Sequence, residues 1–336
     1  MGHSMRRGVG VLLIVGGVVL LRGEGCRAAD AAPATFTVGI VQVAAQSAQA
    51  PFYTIAEKAG LFRKHNVKVN VLYIPSGTSI TQGVVAGELD VGVSSSHIFG
   101  AVAKGANLKM VGSLLPVLTF ALYAKPEIKR PADLRGRTVA TGAPFAALHV
   151  TALAMLRKYN LGPTDVPYIN IGSSVDAWRA LVAGKVDAAM SIIDFVGAAG
   201  QNNLTVLLKS WEELPNYLMQ FIFVSDKTLQ TRREDLIRLL MAFAEGVRYT
   251  YQNPEQAAQY AHEVTGRPLP DVRRVLETYY QARVFSPDLT LTRESILFTQ
   301  ALQKDLKLQD EVLPVERVAA LEVLQEAIRR LGEFRF

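Results

Sequence analysis

Strand-like and helix-like patterns of apolar residues follow each other in the same order twice along the chain. A β-rich run opens each copy, at Phe36–Val43 and at Arg137–Thr141. Apolar residues then recur at helical spacing, at Phe52, Ile55, Ala56 and Ala59 in the first copy and at Phe145, Leu148, Ala152 and Met155 in the second. A second strand, a second helix and a third strand complete each copy. The pattern therefore predicts two βαβαβ units.

The two units are also similar in amino-acid sequence. Ile74–Ser94 aligns without gaps on Ile171–Ser191, and the two segments end in VAGELDVGVS and VAGKVDAAMS. Asp90 and Asp187 recur where a helix gives way to a strand, which predicts a role in that turn. Two copies are too few for a solenoid, so we infer a duplicated supersecondary unit. Parallel sheets bind ligands at the carboxyl ends of their strands. The sequence thus predicts an α/β protein with two similar lobes. Each lobe has a rim, by which we mean the residues at the carboxyl ends of its parallel strands.

The rest of the chain predicts how the lobes are connected. From Thr231 onward the pattern is helical, and a helical tail without a sheet of its own packs most simply on the first lobe. The chain then crosses between lobes twice, near Leu118–Tyr123 and Met219–Val224, and two crossings predict a hinge. The predicted boundaries are 35–119 and 222–336 for lobe 1, and 120–221 for lobe 2.

The first 31 residues follow a different pattern. Two arginines precede the apolar run Val9–Leu21, and the small-residue stretch Cys26–Ala34 follows it. This layout is typical of a secretory signal peptide, so we expect residues 1–31 to be removed on export. An uncleaved membrane anchor and lipidation at Cys26 are the alternatives.

Composition excludes several classes of function. The 336 residues carry a formal net charge of +6, without the basic run or aromatic-spaced patch that nucleic-acid binding would need. Cys26 is the only cysteine, and the five histidines have no metal-ligand spacing. No glycine-rich phosphate loop follows a strand. We therefore predict no nucleic-acid partner, no cofactor, no metal and no catalytic site.

Four segments together resemble the NMT1-like solute-binding proteins of bacterial ATP-driven importers, which include binders of sulfonates, nitrate and thiamine pyrimidine precursors. These segments are Ala50–Val69, Gly77–Ser96, Lys129–Ala140 and Val182–Met190. The resemblance implies a type II periplasmic binding protein fold, a periplasmic location, and a small molecule held between lobes that close on it. It also implies a monomer whose partners are ABC transporter permease subunits in the inner membrane. The chain departs from the family at Ala59, an extra residue before Gly60, and at GAPFAALH, where many relatives have a Gly- and Ser-rich turn.

Candidate ligand contacts come from the predicted rims. Helix N-termini carry unpaired amide groups and a partial positive charge, and aromatic faces can sandwich a flat ligand. The predicted ligand-binding residues are Ser47, Phe52, Tyr53, Ser76, Gly77, Thr78, Ser79, Ser95, Ser96, Thr119, Pro144, Phe145, Ala146, His149, Ser173, Ser174, Ser191, Asp194 and Phe195.

Each candidate has a structural alternative. The Ser and Thr hydroxyls could cap their own helices, and Phe52, Phe145 and His149 could belong to the core. Asp194 could accept hydrogen bonds from a ligand amine, or it could be a solvated loop acid.

The rims contain no Lys or Arg apart from Arg179, which lies well inside a helix. This favours a neutral, weakly cationic or singly anionic organic ligand, with an aromatic or heterocyclic one expected. Three alternatives stay open: an alkanesulfonate or nitrate type of anion binder, a ligand sensor for a membrane receptor, and a cleft enzyme of related fold in pyrimidine-precursor metabolism. Such pyrimidine-forming enzymes rely on a Cys-rich motif, which this chain lacks.

Overall fold

The computed structural model describes residues 1, 32–41, 51–95, 97–144 and 146–336, with the side chains of Pro51, Phe52 and His97 left out. The predicted signal peptide lies outside these ranges. The strands are β1 (Ala34–Val41), β2 (Val67–Ile74), β3 (Val91–Ser94), β4 (Leu108–Leu115), β5 (Phe120–Ala124), β6 (Val139–Thr141), β7 (Tyr168–Asn170), β8 (Ala188–Ile192), β9 (Thr205–Lys209) and β10 (Gln220–Ser225).

Helices lie between most of these strands up to β10, and after β10 they follow one another to the C-terminal part of the chain. They are α1 (Pro51–Lys58), α2 (Leu61–Lys64), α3 (Gly77–Ala86), α4 (His97–Ala103), α5 (Ala147–Arg157), α6 (Ser174–Val182), α7 (Val196–Ala199), α8 (Ser210–Glu213), α9 (Asp226–Thr231), α10 (Arg233–Gln252), α11 (Pro254–Thr265), α12 (Leu269–Gln281), α13 (Arg293–Asp305), α14 (Val315–Val318) and α15 (Leu321–Leu331). None of the helices in the described ranges is both long and apolar enough to cross a membrane.

The strands form two five-stranded sheets of matching order, β2-β1-β3-β10-β4 and β7-β6-β8-β5-β9. In the first, β1 is parallel to β2 and β3, while β10 is antiparallel to β3 and β4. In the second, β6 is parallel to β7 and β8, while β5 is antiparallel to β8 and β9. The two lobes predicted from the repeat are therefore confirmed as α/β units of the same topology.

Both passages of the chain between the sheets join the carboxyl edges of their parallel strands. β4 ends at Leu115, which pairs with Gln220 at the start of β10. β5 starts at Phe120, which pairs with Ile192 at the end of β8. Five steps of chain separate Leu115 from Phe120, so these edges lie within about 18 Å of each other at the crossing. The carboxyl edge of each sheet thus faces the other lobe.

The extended runs predicted near the crossings are mostly strand: residues 120–123 lie in β5 and 220–224 in β10, while 118–119 and 219 belong to the passages. β5 and β10 are the first strands that the chain enters after each passage, and the passages themselves are residues 116–119 and 210–219. The apolar run predicts the strand and not the passage, because β5 is buried on both faces and therefore consists of apolar residues. β10 begins two residues before 222, the predicted start of the second segment of lobe 1.

The C-terminal helices pack on the first lobe, as predicted. One hydrophobic cluster joins the first sheet to α10, α12 and α15, and it includes Phe223 of β10, Leu240 of α10 and Val323 of α15, each fully buried. The second lobe has its own cluster around Leu122 of β5 and Met155 of α5. Burial of this apolar surface is the main force holding each lobe together.

The repeated aspartate ties the third strand of each unit to the first. In lobe 1 the Asp90 carboxylate accepts a hydrogen bond from the backbone N–H of Thr37 at 2.8 Å. It also pairs with the Arg232 guanidinium at 2.7 Å. Thr37 lies in β1 and Asp90 directly precedes β3, so this acid fixes the two strands side by side at the turn.

Asp187 repeats this arrangement in lobe 2. Its carboxylate accepts hydrogen bonds from the backbone N–H of Thr138 at 3.0 Å and from the Lys125 ammonium at 2.9 Å. Burial acts to raise the pKa of the Asp187 carboxyl, but the bonds from Lys125 and Thr138 outweigh burial and lower the pKa to about 2. The repeated aspartate therefore has the same structural role at the same turn of each lobe.

We expect Asp187→Asn to lower the free energy of unfolding by about 1 to 2 kcal/mol at pH 7. A carboxyl with a lowered pKa stabilises the fold above its unfolded pKa of about 3.9 and loses this contribution as pH falls towards its folded pKa. Urea denaturation from pH 7 to pH 2 should therefore show the gap between variant and parent closing below pH 4. Asp271→Asn, in an exposed pair within α12, is the control. An equal gap at pH 7 and pH 2 would show that the charge is not responsible.

Gly92, in the middle of β3, leaves no room for a side chain. A Cβ there would overlap the ring of Phe223 on the neighbouring strand, and Phe223 is fully buried. Gly92→Ala should cost about 1 to 3 kcal/mol of stability, as overpacking does. Gly100→Ala in α4 is the matched control, since a Cβ there meets no atom within 4 Å. Equal melting temperatures for the two variants would contradict the packing argument.

Candidate functional site

Four helices of the described chain begin just after parallel strands end, at the edges that face the opposite lobe. α3 and α4 follow β2 and β3 in lobe 1, and α5 and α6 follow β6 and β7 in lobe 2. Ser96, directly before α4, lies outside the described residues. A helix start presents unpaired N–H groups and a partial positive charge. The starts of α3, α5 and α6 differ in how far their own side chains satisfy these groups, and this difference decides what each can bind.

The start of α3 has a side-chain cap, but no acidic side chain neutralises its partial positive charge. The Ser76 hydroxyl accepts a hydrogen bond from the backbone N–H of Ser79 at 3.1 Å, and the two hydroxyls lie 2.9 Å apart. Thr78 and Ser79 are exposed, while Gly77 is buried. The first turn contains no acidic residue. Hydroxyls and backbone N–H groups are therefore available here without a competing carboxylate.

The start of α5 has no side-chain cap among the described residues, because Ala146 occupies the capping position. Pro144 and Ala146 are exposed, and the first turn again lacks an acid. His149 lies half-buried one turn further along, with its Nδ1 3.4 Å from the Thr141 hydroxyl. Burial lowers the pKa of His149. The imidazole is therefore neutral at pH 7 and adds no charge to this helix start.

His149 also packs edge-on against the Tyr168 ring at a centroid distance of 4.9 Å. Burial raises the pKa of Tyr168 to about 12, so this residue too is uncharged at neutral pH. The His149 and Tyr168 rings thus give the surface beside the α5 start an aromatic and uncharged character.

The start of α6 is satisfied internally. Ser173 accepts a hydrogen bond from the backbone N–H of Asp176 at 3.1 Å and donates one to its carboxylate at 2.6 Å. The bond from Ser173 lowers the pKa of Asp176, so a negative charge sits at this helix start. Arg179 lies 3.4 Å from the same carboxylate. This start would repel an anion, whereas those of α3 and α5 would attract one.

Five of the described candidate residues are buried, and three of them make contacts within the fold: Tyr53, Thr119 and Ser191. Tyr53 is 6% exposed, and its ring packs edge-on against Phe243 in the core of lobe 1. Thr119 is fully buried in the first crossing, where its hydroxyl donates to the Met219 sulfur at 3.1 Å. Ser191 is fully buried and donates to the carbonyl of Ser174 at 2.6 Å. These contacts give the three residues a structural role, and their contact with a ligand stays a prediction.

Asp194 also departs from expectation. It is neither a solvated loop acid nor open to a ligand amine, because its carboxylate is buried and bonded to Arg267 and Tyr279. Phe195 beside it is half-buried and stacks on Trp178 with the ring planes 4° apart and the centroids separated by 4.6 Å. One face of Phe195 is therefore already covered, which weakens the expected aromatic sandwich.

The remaining predicted contacts divide by what the structure describes. Ser47, Ser96 and Phe145 lie outside the described residues, and the side chain of Phe52 is not described. Those exposed or half-buried at the facing edges are Ser76, Thr78, Ser79, Ser95, Pro144, Ala146, His149, Ser173, Ser174 and Phe195. Sequence reasoning missed Trp178, Arg267 and Tyr279, because their contacts join residues far apart in the chain.

Two cavities lie away from these edges. Two surface cavities of about 270 and 530 Å³ lie in the C-terminal helical part, the first beside Arg273 and Tyr280 and the second beside Leu324 and Arg329. Among the described residues, no group of three or more His, Cys, Asp or Glu side chains could hold a metal ion.

Comparison with known proteins places the chain in a family. Residues 46–257 match the family model described as NMT1/THI5 like. A putative ABC transporter periplasmic binding protein of Brachyspira hyodysenteriae is 24% identical over 216 residues, which cover 59% of this chain and 61% of that protein. The 4-amino-5-hydroxymethyl-2-methylpyrimidine phosphate synthase of Legionella pneumophila is 27% identical over 222 residues, 62% of this chain and 68% of that protein.

A solved structure shares the fold. The periplasmic aliphatic sulphonate binding protein SsuA of Escherichia coli superposes with a TM-score of 0.70 at 21% identity, over 86% of this chain and 92% of that one. The chain therefore has the two-lobed periplasmic binding protein fold and belongs to the NMT1/THI5-like family.

Proposed function

We propose that the protein is the solute-binding component of an ATP-driven importer and that it binds a small organic molecule between its two lobes. The observation that carries this is the pair of acid-free helix starts, α3 in one lobe and α5 in the other, on edges that both crossings hold together. A ligand held by both starts would link the lobes. In this proposal the lobes, 35–119 with 222–336 and 120–221, close as two bodies on the solute.

The proposed setting follows from the relatives. The Brachyspira protein is named as a periplasmic binding protein of an ABC transporter, so we propose a periplasmic location and permease subunits of the inner membrane as partners. We propose that the protein acts as a monomer, because the site needs two lobes and one chain supplies both.

The ligand carries at most one negative charge in this proposal. The described residues between the carboxyl ends of β2, β3, β6, β7 and β8 and the first turns of the helices that follow include no Lys or Arg. Arg179 is paired with Asp176, and Arg267, which reaches the turn after β8, is paired with Asp194. A multiply charged anion would need bidentate arginine partners. Two helix starts, each worth about 0.3 to 1 kcal/mol and more when desolvated, suit a single anionic or strongly polar group. The name of the E. coli protein specifies an aliphatic sulphonate, which is singly charged, and this agrees with the electrostatics.

An enzyme is the second candidate, and the Legionella synthase at 27% identity supports it. The discriminating measurement is mass spectrometry of compounds released from the purified protein. A binding protein releases its solute unchanged, whereas a synthase would release a newly formed pyrimidine phosphate. Detection of such a product after incubation with a precursor would favour the enzyme.

We expect a singly charged organic acid to stabilise the protein most in a ligand panel. A ligand that binds only the folded state adds about 2.7 kcal/mol at a hundredfold excess over its Kd, which should raise the Tm by several degrees. The panel comprises alkanesulfonates, aromatic monocarboxylates, aminopyrimidines, nitrate and succinate, tested by thermal shift on refolded protein. A largest shift from succinate, a dianion, would contradict the charge argument.

A carboxylate placed at the α3 start should weaken binding of a singly charged anion. Ser79→Asp puts a negative charge in the first turn, so we expect a loss of affinity of about tenfold, measured by calorimetry. Thr228→Asp is the matched control, because the Ser225–Thr228 pair caps α9 with the same 3.1 Å bond at the opposite edge of the sheet. Equal losses of affinity in the two variants would show that the start of α3 does not contact the ligand.

A further inference from the structure

The turn after β8, residues Ile193–Phe195, is held by both lobes. It belongs to lobe 2 by chain, and Phe195 stacks on Trp178 of α6 in that lobe. Ile193, however, is fully buried within the hydrophobic cluster of lobe 1. One turn therefore has its two ends packed into different lobes.

The residue between them makes the most specific contact. The Asp194 side chain is 3% exposed, and its Oδ2 accepts a hydrogen bond from the Arg267 guanidinium at 2.7 Å. Its Oδ1 accepts a bond from the Tyr279 hydroxyl at 2.8 Å, and Tyr279 is itself fully buried. Arg267 precedes α12 and Tyr279 lies within it, so both donors belong to the C-terminal part that packs on lobe 1.

The contact continues beyond the carboxylate. Gly197, in α7, faces the aliphatic stem of Arg274 in α12, and a Cβ on Gly197 would lie only 3.1 Å from the Arg274 Cγ and Cδ atoms. The chain from Ile193 to Gly197 thus lies closely against α12. An apolar insertion, a charge-assisted pair and a close backbone approach all occur along five consecutive residues.

We propose that this contact, which we call the clasp (Ile193, Asp194, Arg267 and Tyr279), holds the two lobes in the arrangement seen here. A lobe movement that draws the turn away from α12 would separate the Asp194 carboxylate from two well-placed donors and expose Ile193 to water. Charge-assisted bonds with both carboxylate oxygens satisfied are among the stronger contacts in proteins, and the apolar insertion adds to them. The clasp sets the fraction of open molecules, and through it the rate at which a solute reaches the cleft. Only this last step rests on the proposed function.

The clasp is tested without any ligand. Spin labels are attached to Glu88→Cys and Lys185→Cys, exposed and equivalent positions of the two repeats, in a Cys26→Ser background of refolded protein. Double electron–electron resonance then reports the distance between lobes. We expect Asp194→Asn to increase the population at longer distance by about tenfold, and Tyr279→Phe, which removes one hydroxyl, to increase it less.

Two controls make the outcome decisive. Glu277→Gln removes an exposed carboxylate from the same helix, away from Arg274, and should leave the distance distribution unchanged. Circular dichroism identifies a variant that fails to fold, in which case the milder Tyr279→Phe decides. Distributions for Asp194→Asn and Tyr279→Phe that match the parent would overturn the clasp. A null result in the ligand panel would count against the proposed function and leave the clasp intact, since no solute takes part in this measurement.

Discussion

The arrangement of this protein depends on one topological constraint: both passages of the chain between the sheets join the carboxyl edges of the parallel strands. Leu115 leaves the first sheet at that edge, and Phe120 enters the second sheet at the corresponding edge. Short passages cannot separate these edges widely. Helix starts that would otherwise face solvent are therefore brought to face the opposite lobe.

Electrostatics then distinguish the helix starts. The α6 start carries its own carboxylate from Asp176, while those of α3 and α5 contain no acid in their first turns. The same sequence repeat therefore yields two lobes that are alike in topology and unequal in charge at their rims. A duplicated unit can keep its scaffold while the rim residues diverge, because Asp90 and Asp187 hold the turn at the far end of each sheet.

The sequence was sufficient to predict much of this fold. The repeat predicts two sheets of matching order, and the helical pattern after Thr231 predicts a tail on the first lobe; both are confirmed. The clasp could not be predicted, because Asp194 is separated from Arg267 by 73 residues and from Tyr279 by 85. Only the packing of α12 brings them together, and local patterns carry no information about that packing. For the same reason the local sequence around Tyr53 could not show whether its side chain faces the cleft or the core.

Hydrogen exchange tests the central claim, that one solute bridges the two lobes through the starts of α3 and α5, most directly. Amide exchange would be measured by mass spectrometry with and without the compound that raises the Tm most. The account predicts slower exchange in peptides covering residues 77–80 and 147–150 together. Slower exchange in one lobe alone, or only around the C-terminal cavity beside Leu324 and Arg329, would contradict it.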